Sequence, residues 1–441
     1  MSSRALGTPL HKFPEPELGH AVVPKERYTS TAFARLEWER MWTRTWLYAG
    51  PVSDLARVGD YFTFEIGRES IVVARSAPDR IDAFYNVCQH RASQVVLERG
   101  CGHARQLVCP YHLWTYDLTG RLCGLPDRED FPQGLVEDLR MPALRVETWN
   151  GFVFVNLDPD AKPLADYLGV VADHLAPYDF ERNYALAEDY TFLWECNWKV
   201  GVDSFNEVYH VQGIHPELLP FTDDVDCPID LLGRHSRFLF KVGVPSPRWT
   251  DHKARAAGYR DRFALSRELR ELLALHRIDP APYEMDPSGV RAALIAGTRE
   301  AAKATGWDLS GLNDEQLWID VHYTLFPNVT LNVSAGHFWL FRHRPHPTDP
   351  EKMYWDFQEW RRVAPGGERP PRPDHVDAVW GDGTERRMHL ALLQDGNQAA
   401  PQQRGLASRG FEGLRLAHQE RRIRHFHAVL GQYTGASPSS D

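Results

Sequence analysis

The chain has 441 residues, which suggests two or three domains, and its 43% hydrophobic and 25% charged residues are typical of a soluble globular protein. A net charge of −10 without a basic stripe argues against a nucleic-acid partner. Six Cys are too few for a disulfide scaffold, and no apolar run is long enough to cross a membrane. We therefore expect a cytoplasmic protein with reduced thiols and no membrane partner.

The first 160 residues divide into an arm, a helix and a set of short strands. Residues 1–28 carry Pro and Gly without periodicity, and apolar residues then recur at helical spacing from Ser30 to Trp46. Next, β-branched and aromatic residues broken by Gly and Pro predict successive strands, with hairpin turns at "DLTGR" and "NG". We expect residues 45–160 to form a small all-β domain, and we expect the arm and helix of residues 1–44 to pack on the catalytic domain that follows.

Helical and strand patterns come in separate blocks after residue 160. Helices are predicted within 163–179, 195–215, 261–278 and 414–433, and antiparallel strands within 321–347 and 351–360. A Pro/Gly-rich loop at 364–374 separates the strands from the end of the chain. Residues 161–441 are therefore expected to form a larger catalytic domain with an antiparallel sheet flanked by helices, which makes the fold class α+β.

Two loops of the β domain each pair one Cys with one His, Cys88 with His90 and Cys109 with His112. Four such ligands can hold Zn²⁺, but zinc modules usually pair Cys with Cys and His with His. Mixed pairs suit a Rieske [2Fe–2S] cluster, because one iron takes both thiolates and the other takes both imidazoles, so each loop must reach both irons. Three neighbouring side chains are left out of the site: Cys101, His103 and Cys123.

Three sequence segments resemble the Rieske domain in the large (α) subunit of the Rieske non-haem iron oxygenases: "CQH", "CPYHLWTYDLTGRL" and "WNGFVFVNLDP". Leu113 departs from that family, which usually has Gly after the second His, and it is expected to place a side chain beside the cluster. The resemblance extends from about Trp46 to Leu430 and implies a second site that holds a mononuclear Fe(II).

A second group of ionisable residues lies within "NWKVGVDSFNEVYHVQGIHPELL": Asp203, Glu207, His210 and His215. On a continuous helix the first three share one face, at separations of four and three. Because His215 follows His210 by five residues, both imidazoles can meet one ion only if the segment bulges or breaks after Gly213. Two His and one carboxylate, with further positions open, are the ligands of non-haem Fe(II) oxygenases.

The third iron ligand is expected at Asp395, because "LLQDGNQAAPQQRGL" resembles the late carboxylate segment of the same family. Three other acids match less well: Asp382, Glu385 and Glu412. His425 and His427 lie two apart on the final predicted helix and face different ways, so we expect them to be structural.

The resemblance also implies how the two metal sites cooperate. In this family a separate reductase, in some members with a ferredoxin, delivers electrons from NAD(P)H. Three α subunits form a ring, as α3 or with a β subunit as α3β3, and a carboxylate links the cluster of one subunit to the mononuclear iron of the next. Glu207 matches that bridging carboxylate, where most ring-dihydroxylating members have Asp. Asp203 stands where Asn is common and would be a weak additional iron contact.

The implied function is a terminal oxygenase that inserts oxygen from O2 into a small organic molecule. Aromatic-rich strands at 322–333 and 336–343 favour ring hydroxylation of an aromatic or other hydrophobic substrate, as in aromatic hydrocarbon catabolism. Glu207 and "HPEL" at His215 look instead like members that monooxygenate quaternary amines such as carnitine or betaine, for which 14 Trp could supply an aromatic cage. Alternatives from other classes are a Rieske electron carrier without oxygenase activity and a zinc module fused to a different enzyme.

Overall fold

The computed structural model describes residues 16–131 and 138–436, so the first 15 residues of the expected arm lie outside the described chain. Two compact units are present. One comprises Arg35–Gly169, and the other joins the residues up to Ala34 with those from Val170 onward. The domain limits expected from the sequence, 45–160 and 161–441, stay predictions. Within the described ranges, no helix has the length and apolar character to cross a membrane.

The unit Arg35–Gly169 is built from small antiparallel sheets. Its strands are Leu47–Pro51, Asp60–Ile66, Glu69–Ala77, Arg80–Tyr85, Cys101–His103, Leu107–Val108, Thr115–Tyr116, Leu122–Gly124, Arg145–Trp149 and Phe152–Asn156. Its helical pieces are the later part of Thr31–Arg40, the single turns Trp42–Arg44, Val52–Leu55 and Arg128–Asp130, and Leu164–Leu168. Both predicted hairpins form: strands pair across "DLTGR", and at "NG" both Asn150 and Gly151 have the positive φ that a tight hairpin turn needs.

The second unit is organised around one nine-stranded sheet. Its strands are Tyr184–Trp194, Thr222–Asp223, Ile229–Leu232, His235–Val242, Ile319–Leu325, Val329–Val333, His337–Pro345, Met353–Arg362 and Val376–Val379. All pairings are antiparallel except the last strand, which runs parallel to Tyr184–Trp194. A separate short pair joins Val23–Pro24 to Gly413–Leu414. The strands predicted within 321–347 and 351–360 are confirmed.

Helices accompany this sheet. The α-helices are Glu26–Thr29, Thr31–Arg40, Val170–Leu175, Phe180–Asn183, Trp198–Ser204, Val211–Ile214, Asp251–Ala256, Arg267–Leu275, Val290–Thr305, Asp314–Leu317, Leu390–Leu406 and Arg421–Thr434. Single 3-10 turns are Ala176–Tyr178, Pro216–Leu218, Ala281–Tyr283, Pro287–Gly289, Thr384–Arg387 and His418–Glu420. Separate blocks of helices and antiparallel strands confirm the α+β class.

The stretch 195–215 is not the single helix that its pattern predicted. The helix Trp198–Ser204 ends before Glu207, and a second short helix, Val211–Ile214, follows. Two contacts with the sheet account for the break: Phe205 stacks on Phe341 at 4.4 Å between ring centroids, and Asn206 Oδ1 accepts a 2.5 Å hydrogen bond from Thr324 Oγ1. The expected shared helix face is therefore wrong, and the helix ends at Ser204, nine residues before Gly213.

Candidate metal centres

The two Cys/His loops meet in the core of the β unit. Cys88 and Cys109 are both 2% exposed and belong to one hydrophobic cluster that includes Trp114 and Tyr116. Burial and the neighbouring Cys109 thiol raise the pKa of Cys88. Two adjacent thiols in apolar surroundings become thiolates only if a cation balances their charge, so this environment favours a bound metal.

The two imidazoles of these loops also face each other. The ring centroids of His90 and His112 are 4.6 Å apart, and His90 stacks on Trp114 at 4.8 Å. The Nδ1 atoms of both rings are buried and have no hydrogen-bond partner among the described residues. A buried nitrogen without a partner is costly, and two such atoms beside two thiols fit a cluster that takes two imidazoles and two thiolates.

The loops share a backbone geometry that explains Leu113. In each loop the fourth residue after the Cys closes a turn: Ala92 N–H donates to Cys88 O, and Leu113 N–H donates to Cys109 O, both at 3.0 Å. Ala92 and Leu113 both have φ of 60°, a left-handed conformation that usually favours Gly. The Leu113 side chain is 59% exposed. It therefore occupies a position that suits Gly, but it points largely to solvent.

The three neighbouring side chains excluded from the cluster have other partners. His103 Nδ1 lies 2.8 Å from Asp60 Oδ1, and the exposed Cys101 donates to Asp54. Cys123 is also exposed, and its thiol donates to Thr115 O at 3.4 Å.

In the second unit, His210, His215 and Asp395 come together, with one possible ligand atom from each residue lying within 4.8 Å of the others. His215 Nε2 is 3.0 Å and His210 Nε2 is 3.7 Å from Asp395 Oδ1. The break after Ser204 allows the two imidazoles to approach at 74° with 5.1 Å between their centroids. Two imidazoles and one carboxylate suit a non-haem Fe(II) site.

Each imidazole of this group is held through its other nitrogen. His210 Nδ1 is 2.5 Å from Glu207 Oε1, and His215 Nδ1 is 2.7 Å from Gln394 Oε1. In the neutral form of each ring, these bonds place the proton on Nδ1, so Nε2 is the atom that can bind a metal. Although burial lowers it, the carboxylates of Glu207 and Asp395 raise the pKa of His210 to about 9. The site thus attracts positive charge. Gln394 was not predicted as a site residue, because a Gln next to an Asp has no feature in the sequence that marks it as a partner of a metal ligand.

Asp203 is not part of this ligand group. Its Oδ2 accepts a 2.5 Å hydrogen bond from Tyr28 Oη, and Tyr28 Oη also lies 2.6 Å from His427 Nε2. Asp203 does line the same cavity of about 180 Å³ as Glu207 and His210. Asp203 therefore belongs to a buried hydrogen-bond network with Tyr28 and His427. The sequence did not predict this network, because Tyr28 lies in the N-terminal arm and His427 in the final helix, both far from Asp203 along the chain.

The remaining predicted candidates form local contacts. His425 Nε2 lies 2.8 Å from Gly233 O. The three weaker acidic candidates bond to nearby groups in turns or to an adjacent Arg: Asp382 with Val379 and Thr384, Glu385 with Gly381 and Gly383, and Glu412 with Arg415.

Comparison with known proteins agrees with this arrangement. Residues 45–141 match the Rieske [2Fe-2S] domain, and residues 180–436 match the ring hydroxylating alpha subunit catalytic domain. A solved quaternary ammonium Rieske monooxygenase has the same fold, with a TM-score of 0.68 at 22% identity over 96% of this chain and 99% of that chain.

Two curated relatives are similar over part of the sequence. The glycine betaine monooxygenase oxygenase subunit of Chromohalobacter salexigens is 36% identical over 48% of this chain and 47% of its own length. The carnitine monooxygenase oxygenase subunit of Escherichia coli K12 is 33% identical over 51% of this chain and 60% of its own length. The matches thus span about half the length of these relatives. Because the catalytic-domain match covers more than half of the chain, the protein belongs to the family of ring-hydroxylating oxygenase α subunits and carries their Rieske domain.

Proposed function

We propose that this protein is a terminal oxygenase that takes electrons from a reductase and uses O2 to oxidise a small organic substrate. The observation that carries the proposal is the presence of two different donor sets in one chain, mixed Cys/His loops and a two-His, one-carboxylate group. When bound, the [2Fe–2S] cluster and Fe(II) supply electron transfer and O2 activation. Overall, monooxygenation consumes one O2, two electrons and two protons, and it yields hydroxylated product and water.

In this proposal the protein residues hold and orient the metals. Cys88, His90, Cys109 and His112 would hold the cluster, and His210, His215 and Asp395 would hold Fe(II). Glu207 fixes the His210 ring through Nδ1 and also accepts the His210 backbone N–H at 3.1 Å. We assign Glu207 the bridging role towards the cluster of another subunit.

The favoured substrate class is an alkylammonium compound. The betaine and carnitine monooxygenase relatives support it, as does Glu207 in the position of the more usual Asp. Ring hydroxylation of an aromatic compound, which the apolar strands favour, is the second candidate.

The assembly and the surroundings of the enzyme are part of the proposal. A ring of three chains with or without a β subunit, electron supply from NAD(P)H through a reductase or ferredoxin, and a cytoplasmic location are all predictions. Sedimentation of the metal-loaded protein tests the first of them, and reduction of the cluster by added reductase tests the second.

The central experiment measures substrate-dependent O2 consumption by the metal-loaded protein with a generic reductase. His210→Ala should abolish consumption, because the iron loses one of its three protein ligands. His252→Ala is the matched control, since His252 is exposed on the helix Asp251–Ala256. Unchanged iron content and O2 consumption in His210→Ala would show that His210 is not an iron ligand, and an unaltered protein that accepts electrons but consumes no O2 with any substrate would be only an electron carrier. A colourless protein containing zinc would contradict the iron–sulfur assignment.

A further inference from the structure

A row of polar side chains lies on one face of the nine-stranded sheet. Asp320 and His322 alternate along the strand Ile319–Leu325, and Asn332 pairs with His322 on the adjacent strand, so the three side chains share a face. Each has a buried atom without a hydrogen-bond partner among the described residues: Asp320 Oδ1, His322 Nδ1 and Asn332 Oδ1. Three such atoms at neighbouring positions indicate a site that a ligand completes.

Aromatic rings border this row. His322 stacks on Phe238 with 4.2 Å between centroids and 19° between planes, and Phe240 lies edge-on at 6.2 Å. On the other side, Trp339 is the cross-strand neighbour of Asn332. The row is therefore a polar strip between aromatic side chains, and the side chains of Asp320 and His322 keep 23% and 13% exposure.

The row lies beside the mononuclear site. Phe238 and Phe240 pack in one hydrophobic cluster with Val208 and Val211, which flank His210 in sequence. The same face of the strand Ile319–Leu325 also carries the Thr324 hydroxyl that donates to Asn206.

A second connection runs through His389. The His389 ring lies 5.4 Å from Trp339, and His389 is the N-cap residue of the helix Leu390–Leu406, which carries Asp395. The Trp339 end of the row therefore lies next to the start of the helix that supplies Asp395.

Asp320 contributes one negative charge to the row. Burial would raise the pKa of Asp320, but His322, His337 and Ser334 lower it overall. Asp320 Oδ2 is 3.2 Å from His322 Nε2, and no Lys or Arg within the described ranges forms an ion pair with Asp320. The guanidinium of Arg422 contacts the same face, but it lies over Phe238 and donates to Ser236 and Thr324 instead.

We propose that Asp320, His322 and Asn332 bind the positively charged nitrogen group of the substrate, with Trp339 beside it. The carboxylate supplies the charge, the Trp339 ring supplies cation–π attraction, and the unpartnered oxygens of Asp320 and Asn332 accept hydrogen bonds from bound water. This inference rests on the proposed function, because it assigns a substrate group to the same active site. A neutral aromatic hydrocarbon would leave the carboxylate without a counter-charge.

The test is calorimetric binding to the metal-loaded protein under anaerobic conditions, which does not depend on turnover. Tetramethylammonium, choline, glycine betaine and L-carnitine are each compared with the neutral-carbon isostere in which carbon replaces nitrogen. At least one cation should bind about tenfold more tightly than its isostere, and Asp320→Asn should remove that preference. Asp279→Asn, an exposed acid in a loop, is the charge-matched control and should leave the preference intact.

A second variant keeps the test decisive if Asp320→Asn does not fold. His322→Phe preserves a ring against Phe238 but removes both nitrogens, and it should also weaken cation binding. No preference for any cation over its isostere, or a preference that survives both substitutions, overturns the inference.

The inference and the proposed function can fail separately. If a neutral aromatic compound drives O2 consumption and Asp320→Asn leaves its KM unchanged, the inference fails and the oxygenase stands. If cations bind through Asp320 but no substrate drives O2 consumption, the oxygenase fails and the binding site stands.

Discussion

The two candidate metal centres are assembled in different ways. The proposed cluster ligands Cys88, His90, Cys109 and His112 come from two loops only 18 residues apart, and both imidazoles leave Nδ1 without a partner among the described residues. At the mononuclear site, His215 and Asp395 are 180 residues apart in sequence, and both imidazoles are held through Nδ1 by side chains.

Local turns define the geometry of the cluster site, whereas tertiary packing of distant segments defines the mononuclear site. The cluster loops use the same backbone turn twice, so short segments set most of the geometry. The mononuclear site depends on the end of one helix at Ser204 and on the distant helix Leu390–Leu406, which carries both Asp395 and Gln394. We therefore expect substitutions at the cluster loops to leave the mononuclear iron bound, and we expect the mononuclear site to depend on residues far from it in sequence.

The largest expected effect is loss of the cluster in Cys109→Ser. Because the thiolate is one of four ligands and is buried, the visible absorption of the cluster and all O2 consumption should disappear. Cys123→Ser removes an exposed thiol outside the site and should retain both signals. A coloured Cys109→Ser protein that bleaches on reduction would show that the ligand assignment is wrong.

Asp395→Ala should remove the mononuclear iron and leave the cluster. Because a cluster holds two irons and this site one, the iron content should fall by about a third while the visible absorption stays. Asp382→Ala is the control, since that carboxylate only caps a turn through Val379 and Thr384. Loss of absorption together with iron would mean that the two sites are not independent.

Gln394→Ala tests the tertiary support of the same site. Without Gln394 the His215 ring loses the acceptor at Nδ1, and affinity for Fe(II) should fall by about 10- to 100-fold in a metal-binding titration. Asn397→Ala removes an amide from the same helix that bonds Trp380 instead, and it should bind iron normally. Equal Fe(II) affinities in the two variants would show that Gln394 does not support the iron site.

The same contrast explains what the sequence could predict. The strands, their hairpins and the helix within 261–278 follow from local patterns, and the cluster ligands follow from the spacing of Cys and His. The bend after Ser204 could not be predicted, because it depends on contacts of Phe205 and Asn206 with distant strands. Asp395 was reached only through resemblance to a family, since nothing local distinguishes it from Asp382.

The buried network of Tyr28, Asp203 and His427 also could not be predicted from the sequence, and disrupting it should have a smaller effect than losing a metal ligand. Tyr28→Phe removes the hydroxyl that contacts Asp203 and His427, leaving buried polar atoms unsatisfied, so the free energy of unfolding should drop by about 1–3 kcal/mol. Tyr111→Phe, on an exposed side chain, should leave stability unchanged in the same thermal denaturation. If both variants unfold at the same temperature, the network adds nothing to stability.

The smallest expected effect concerns Leu113. A left-handed conformation costs a non-glycine residue about 1–2 kcal/mol, so Leu113→Gly should relieve strain, while Leu113→Ala keeps the strain and removes most of the side chain. Gly also gains entropy in the unfolded chain, by about 0.4–1 kcal/mol, so the net gain in stability should be below about 1.6 kcal/mol. Because the side chain is 59% exposed, cluster absorption should not change in either variant. If Gly and Ala alter the spectrum equally, the effect comes from the Leu113 side chain. The cluster would then depend on a side chain outside its four ligands, and not only on the backbone turns that hold those ligands.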